Sequence, residues 1–412
     1  MEFLKHTLEN GLEIVAECNP QAWSTALGFF VRAGARDESD SVAGVSHFLE
    51  HMMFKGTPTR TADDVNREFD EMGASYNAFT SEEHTVYYAA VLPEYQSQAT
   101  ELLADILRPS LREEDFDMEK QVILEEIQMY EDQPPFGADE KCRALHFGSH
   151  PLARSVLGTV QSVSDLSVDG MRDYFGMRYS PENVVLAAAG RVNFDLLVAS
   201  AEKTCGAWQC HGGRRNLGAP QPQPGFQVIR KDAATQQYVV QLTPGPAADG
   251  DDRFAAKLLA TVVGDDTGSR IYWELVDSGA AEQAGLGHYE YDDAGIFLTY
   301  MSCQPTEAAG NLQRLHNLLV ELQGNGITAV ELDQAKNKVC SRIVLSGERP
   351  RGRLFVVGGD WIQRRQYRSV RDDLDAVEQV TLEQIAAVAQ KYPLTQATTI
   401  TIGPLDDVTP PS

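Results

Sequence analysis

The stretch Val45-Ser46-His47-Phe48-Leu49-Glu50-His51-Met52-Met53-Phe54 restricts the fold of this chain more than any other. Apolar side chains at Val45, Phe48, Leu49, Met52, Met53 and Phe54 predict a helix that is greasy on nearly every side and therefore buried. Yet the same helix carries two histidines and a glutamate. Positions i, i+3 and i+4 share a helix face, so His47, Glu50 and His51 point the same way. Buried polar groups need partners, and a metal ion gripped by both imidazoles would supply one. Glu50 would then stand beside the ion, placed to take a proton from a coordinated water. Imidazole suits zinc, and a catalytic zinc site has three protein ligands plus an open position. The plainer alternative is a pair of surface histidines on an amphipathic helix.

A third ligand has to come from elsewhere. Residues Glu113–Asp132 read as a long helix, with apolar positions at Phe116, Val122, Ile123, Ile127 and Tyr130. Glu119 and Glu126 lie two turns apart on one face of it, and aligned carboxylates repel unless a cation or donor lies between them. Glu113, Glu114, Asp115, Glu125 and Glu131 keep a solvated acidic face open as the alternative. No other histidines compete. His146 and His150 have i, i+4 spacing, but Gly148, Ser149 and Pro151 break a helix there, and His6, His84, His211, His288 and His316 are isolated.

Four motifs occur in order: His47 to Thr57, Met72 to Ser81 (Met-Gly-Ala-Ser-Tyr-Asn-Ala-Phe-Thr-Ser), Thr85-Val86-Tyr87-Tyr88, and Val122-Ile123-Leu124-Glu125-Glu126. Together they resemble the pitrilysin/insulinase family of zinc peptidases. The branch most like them holds the mitochondrial processing peptidase β subunit and its short bacterial relatives. The resemblance implies one zinc per chain, with His47, His51 and Glu126 as ligands and Glu50 as general base. It also implies Glu119 as the carboxylate that orients a ligand from behind, and it makes Glu125 the wrong neighbour. In the family a peptide substrate adds as an extra strand to the sheet edge matching Ser75–Thr80. Asn77 would then bond the substrate backbone, while Ala78, Phe79 and Phe54 line the pocket after the scissile bond. Ordinary core packing is the alternative for Phe54 and Phe79.

Composition bounds the rest. The 412 residues, 42% hydrophobic, suffice for a large core and two domains. No apolar run is long enough to span a bilayer, and the first residues lack a signal core. The six cysteines show no paired spacing, so they read as reduced, mostly buried thiols of a cytoplasmic protein. A net charge of −25, from 60 acidic and 35 basic residues, disfavours nucleic acid and anionic membrane as partners.

Organisation points to an internal duplication of class α+β. Residues 1–216 form the expected metal-bearing domain, 217–226 (rich in Pro and Gly) the linker, and 227–412 the homologous domain without metal. Tyr179–Gly190 matches Tyr392–Gly403 faintly. Gly34 likewise matches Gly245, and at that offset Leu258, Thr261 and Val262 stand where the first half has His47, Glu50 and His51, so the second half cannot hold the ion. The resemblance implies two homologous sandwich halves, an antiparallel-rich sheet with helices packed on it in each, closing as a clamshell.

One departure from the family stands out. Active single-chain relatives carry an arginine and a tyrosine in the second half, where this chain has Val276 and Glu282. Three outcomes are open: Arg270, Tyr289 or Tyr291 substitutes, a partner subunit supplies the pair, or peptidase activity is weak. The expected function is therefore a zinc endopeptidase, acting alone, as a homodimer or as the metal-bearing half of a heterodimer with a related subunit. The alternative is a noncatalytic assembly or peptide-binding subunit of the same family. The natural substrate and its cleavage preference leave no trace in the sequence.

Overall fold

A computed structural model describes residues 1–213, 215 and 218–412. Leu217, the first residue of the expected linker, and residue 216, the last of the expected first domain, lie outside the described residues. Residues 218–224 are neither helix nor strand.

The chain forms two compact units, Met1–Gln128 with Arg154–Asn216 and Val344–Ser369, and Met129–Ala153 with Leu217–Ile343 and Val370–Ser412. The first is built on six strands: β1 (Glu2–Thr7), β2 (Glu13–Cys18), β3 (Thr25–Val31), β4 (Ser75–Thr80), β5 (Thr85–Val91) and β6 (Val184–Gly190). They run in the order β1-β2-β6-β3-β5-β4, antiparallel except for β2 beside β6. Every residue of β3 and β6 is buried, as expected of central strands covered on both faces. On one face Phe30, Val86, Tyr88 and Val185 meet Leu354, Val357 and Trp361 of the helix Pro350–Arg364. Alternate residues of these strands, Leu27, Phe29 and Tyr87, are buried on the other face. There α1 (Val45–Met52), α2 (Ala62–Glu71) and α3 (Gln96–Ile106) follow one another, and α4 (Glu113–Asp132) comes next in the chain.

The second unit has five strands: β7 (Gly225–Arg230), β8 (Gln237–Gly245), β9 (Gln283–Tyr291), β10 (Ala294–Cys303) and β11 (Thr398–Gly403). Their order, β7-β11-β8-β10-β9, with β7 parallel to β11 and the rest antiparallel, repeats the first sheet strand for strand once β1 is set aside. Helix α5 (Ala138–Phe147) buries Ala138, Cys142 and Phe147 against Val240, Leu242 and Ile400. Val239, Phe297 and Met301 meet the helices Arg253–Gly264 and Ala308–Asn325 on the other face. The class is α+β, two mixed, largely antiparallel sheets with helices on both faces of each.

The helix on one face of each sheet belongs, by sequence, to the other half of the chain. Residues 129–153 pack with the second sheet and 344–369 with the first, so neither unit is a continuous run such as 1–216 or 227–412. Amphipathic periodicity says that a helix must cover something, but not which sheet it covers. No helix among the described residues is long and apolar enough to cross a membrane. All six cysteines are free thiols. Cys142, Cys205 and Cys303 are buried, Cys18 and Cys340 half-buried, and Cys210 exposed.

The entry to α1 is set by glycine. Gly44 precedes the helix at φ +92°, and a Cβ there would lie 2.6 Å from the Leu157 carbonyl oxygen. Gly158 faces it at φ +75°, with its own Cβ position 2.6 Å from the Ala43 carbonyl. Gly73 offers a contrast, since it has φ +59° with no atom within 4 Å of a Cβ. Both substitutions incur the left-handed strain, but only Gly44→Ala adds a backbone clash. Gly44→Ala should therefore destabilise the first unit by about 1–3 kcal/mol more than Gly73→Ala in denaturant unfolding.

Candidate metal centre

Helix α1 starts on a buried carboxylate. The backbone N–H groups of Gly44 and Ser46 donate to Glu38 Oε2 and Oε1 at 2.7 and 2.8 Å. An acceptor suits this end of a helix, which presents unpaired N–H groups. Burial pushes the Glu38 carboxyl up to about 8, against the pull of those same hydrogen bonds. Ser46 Oγ also bonds the Tyr174 hydroxyl at 2.7 Å. Val45, Phe48, Leu49 and Met52 are buried as the sequence predicts, and His47 is buried with them.

Phe48 sets the distance to α4. Its ring stacks on Phe116 at 4.7 Å and 9°. From that contact the buried stripe of α4 continues through Glu119, Ile123 and Ile127 at helical spacing. The result brings His47, His51 and Glu126 together, each offering a ligand atom within 4.8 Å of the others. Glu126 Oε2 lies 3.7 Å from His47 Nε2 and 3.8 Å from His51 Nε2. Tetrahedral zinc, with bonds of about 2.0–2.2 Å, needs ligand atoms roughly 3.4 Å apart. This is the one such group among the described residues. Glu125 points outward and is exposed.

The protonation states fit a cation. The imidazoles lie edge to face, with ring centroids 4.7 Å apart. Burial first, and the neighbouring His51 second, lower the His47 pKa to about 3, so the ring is neutral, the form in which imidazole can bind a metal. Its Nδ1 is buried without a hydrogen-bond partner. His51 Nδ1 lies 2.8 Å from Glu119 Oε1. A carboxylate only accepts, so Nδ1 carries a proton, and in the neutral ring the lone pair would then lie on Nε2, the nitrogen nearer Glu126. Burial alone would raise the Glu119 carboxyl, but hydrogen bonds from Lys55 and His51 hold it below its usual value. Glu126 is raised, mainly by burial. A divalent cation would act in the opposite sense on it.

Glu50 lies on the sheet side of α1, where its Oε2 accepts a 2.7 Å hydrogen bond from Thr80 Oγ1. Its carboxyl is raised by burial and pulled back by that bond. Thr80 belongs to β4, the edge strand of the first sheet. The two-residue period of β4 puts Tyr76, Ala78 and Thr80 on the α1 face. Tyr76 stacks on Phe69 at 3.9 Å and its ring lies 6.3 Å from Phe54. Asn77 and Phe79 fall on the opposite face. Asn77 accepts from the Ala78 N–H, and the Phe79 ring, 41% exposed, meets Phe355 at 5.9 Å. Of the residues expected to line one pocket, Phe54 and Ala78 share the α1 face and Phe79 does not, because neighbours along a strand alternate.

Thr80, Lys55 and Glu38 also touch the site, although nothing above assigns them to it. Parity with Ala78 singles out Thr80, and a position one helical turn beyond His51 singles out Lys55. No local signal marks Glu38, whose role depends on a turn. In the second unit Leu258, Thr261 and Val262 are buried in the helix Arg253–Gly264, with no ligand among them. Arg270 is bound by Glu331 at 2.7 and 3.0 Å, and Tyr291 is buried. Tyr289 is exposed in a cavity of about 630 Å³ that Val276 and Glu282 also line. His146 bonds Thr398 and His150 bonds the Gly218 carbonyl, so that pair does not converge.

Comparison with known proteins agrees with this geometry. Residues 13–160 match the insulinase (peptidase family M16) model, and residues 165–339 match the peptidase M16 inactive domain. An uncharacterized zinc protease of Mycobacterium leprae is 34% identical over 397 residues, 93% of this chain and 88% of its own length. One of Bacillus subtilis is 30% identical over 389 residues, 94% and 95% of the two chains. A protease from Helicobacter pylori has the same fold, with a TM-score of 0.91 at 22% identity over 98% of this chain and 99% of that one. With both halves matched in order and relatives similar over nearly their whole length, the chain belongs to the insulinase family of peptidases, family M16.

Proposed function

We propose that this chain is a zinc-dependent endopeptidase whose reaction is carried by the first unit. The observation that carries the reading is the convergence of His47, His51 and Glu126 from two helices, with Glu50 one residue away. His47, His51 and Glu126 hold one zinc ion, whose chemistry when bound is to polarise a peptide carbonyl and acidify a water molecule. Glu50 takes the proton of the attacking water on its carboxylate and later delivers it to the leaving amine. Thr80 Oγ1 occupies Glu50 Oε2, which leaves Oε1 for the proton. A carboxyl raised by burial is a better match for that exchange near neutral pH than a solvated one.

The substrate is a peptide or unfolded segment lying along the open edge of β4 as an added strand. Asn77 is exposed there to meet its main chain, while Ala78 and Phe54 face the α1 side, where residues after the scissile bond would lie. Phe79 would meet substrate from the other face of the edge. Free thiols support a reducing compartment such as the cytoplasm.

Zinc analysis combined with peptide cleavage tests the reading. Glu50→Gln should keep one zinc per chain and lose turnover by several orders of magnitude. Equal turnover in that variant removes Glu50 from the mechanism. Glu126→Gln should lose zinc on dialysis against chelator, while Glu125→Gln keeps it, since Glu125 lies outside the cluster. The reverse pattern would put the ligand on the wrong neighbour.

A related subunit that carries the arginine and tyrosine completes the enzyme in this reading, as the partner in a heterodimer. Val276 and Glu282 cannot donate to a developing oxyanion, and Arg270 is committed to Glu331. Such a donor is worth about 2.7–4 kcal/mol in comparable sites. The isolated chain should bind zinc fully and cleave slowly, and a related chain carrying the arginine and tyrosine should raise the rate about 100-fold or more. Fast cleavage by the isolated chain that drops on Tyr289→Phe would instead assign the donor to Tyr289.

A further inference from the structure

We propose that Lys55 is a positioning residue of the metal site, one that locks Glu119 in place and thereby sets how tightly the site holds zinc. This rests on the assignment of His51 as a ligand. Glu119 is 5% exposed, and its two oxygens are divided between two donors. Lys55 Nζ lies 2.5 Å from Oε2, and His51 Nδ1 lies 2.8 Å from Oε1. The last torsion of a glutamate side chain is broad and roughly two-fold. A carboxylate held at one oxygen could therefore rotate away from His51, and one held at both cannot.

Lys55 is itself fixed by the helix that carries Glu119. Its carbonyl accepts from Arg112 Nη2 at 3.0 Å, and Arg112 Nε bonds Asp115 at 2.6 Å at the start of α4. The backbone N–H of Lys55 continues the α1 turn to the Met52 carbonyl at 3.2 Å. The ammonium therefore bridges the two helices whose approach creates the site. Its importance is greater because His47 Nδ1 has no partner, so hydrogen-bonded control of ligand orientation falls on His51. Removing the partner that orients a ligand typically costs 10–100-fold in metal affinity.

The sign of the effect separates positioning from simple charge. Loss of a cation near the site would tighten zinc binding by Coulomb attraction alone, whereas loss of positioning weakens it. Zinc affinity of the metal-free chain is measured by competition with a chromogenic chelator, in the native protein and in Lys55→Met, Glu119→Gln and the double variant. Lys55→Met should weaken zinc binding about tenfold and have no further effect in the Glu119→Gln background. Lys55→Leu, which also removes both donor and charge, is carried through the same cycle with the same expected loss if Lys55→Met does not fold. Unchanged or tighter binding in the lysine variant, or the same loss with and without Glu119, overturns the proposal. His51→Ala must abolish binding in the same assay. If the native chain holds no zinc, the peptidase reading fails and this inference with it; if it does, a null lysine result overturns this inference alone.

Discussion

Burying ionisable groups on an apolar helix is the constraint on which the first unit depends. Helix α1 brings His47, Glu50 and His51 into a region where each needs a partner, and most of the surrounding architecture supplies one. Glu38 caps the helix start, Thr80 meets Glu50, Glu119 meets His51, and Lys55 neutralises Glu119. The stacked Phe48 and Phe116 rings bring α4 close enough for Glu126 to reach both imidazoles. Besides the unpartnered His47 Nδ1, what remains is the space between three candidate ligand atoms, which a divalent cation would complete.

The second unit shows the same scaffold without that constraint. Its sheet repeats the first in strand order and direction, and the helix Arg253–Gly264 stands in the place of α1. Leu258 and Val262 are buried there by ordinary apolar packing, worth about 1.5–3 kcal/mol for each large side chain. Such packing asks for no partners. The two halves thus show what one fold does with and without a polar helix face, and function follows the residues rather than the topology.

Strand β4 joins the two parts of the proposed reaction. It is the open edge of its sheet, and the same strand carries Thr80 to Glu50. A residue that orients the base therefore sits in the backbone that would hold the substrate. Alternation along the strand divides the work, with Ala78 and Thr80 on the α1 face and Asn77 and Phe79 on the other.

Much of this was legible in the chain alone. The spacing of His47, Glu50 and His51, the apolar setting around them and the placing of Glu119 and Glu126 on one face of a later helix are local facts, set by the 3.6-residue period. The faint repeat between the halves is likewise visible, because strand patterns survive duplication. Tertiary structure decided what depends on contacts distant in sequence. Glu119 and Glu126 were distinguishable only by resemblance until α4 packed on Phe48. Lys55, Thr80 and Glu38 acquire partners only across turns and between elements. The face occupied by Phe79 follows from which side of β4 meets α1. The helix Pro350–Arg364 covers the first sheet although its sequence belongs to the second half, since an amphipathic stripe encodes that it must be buried and leaves the choice of surface to packing.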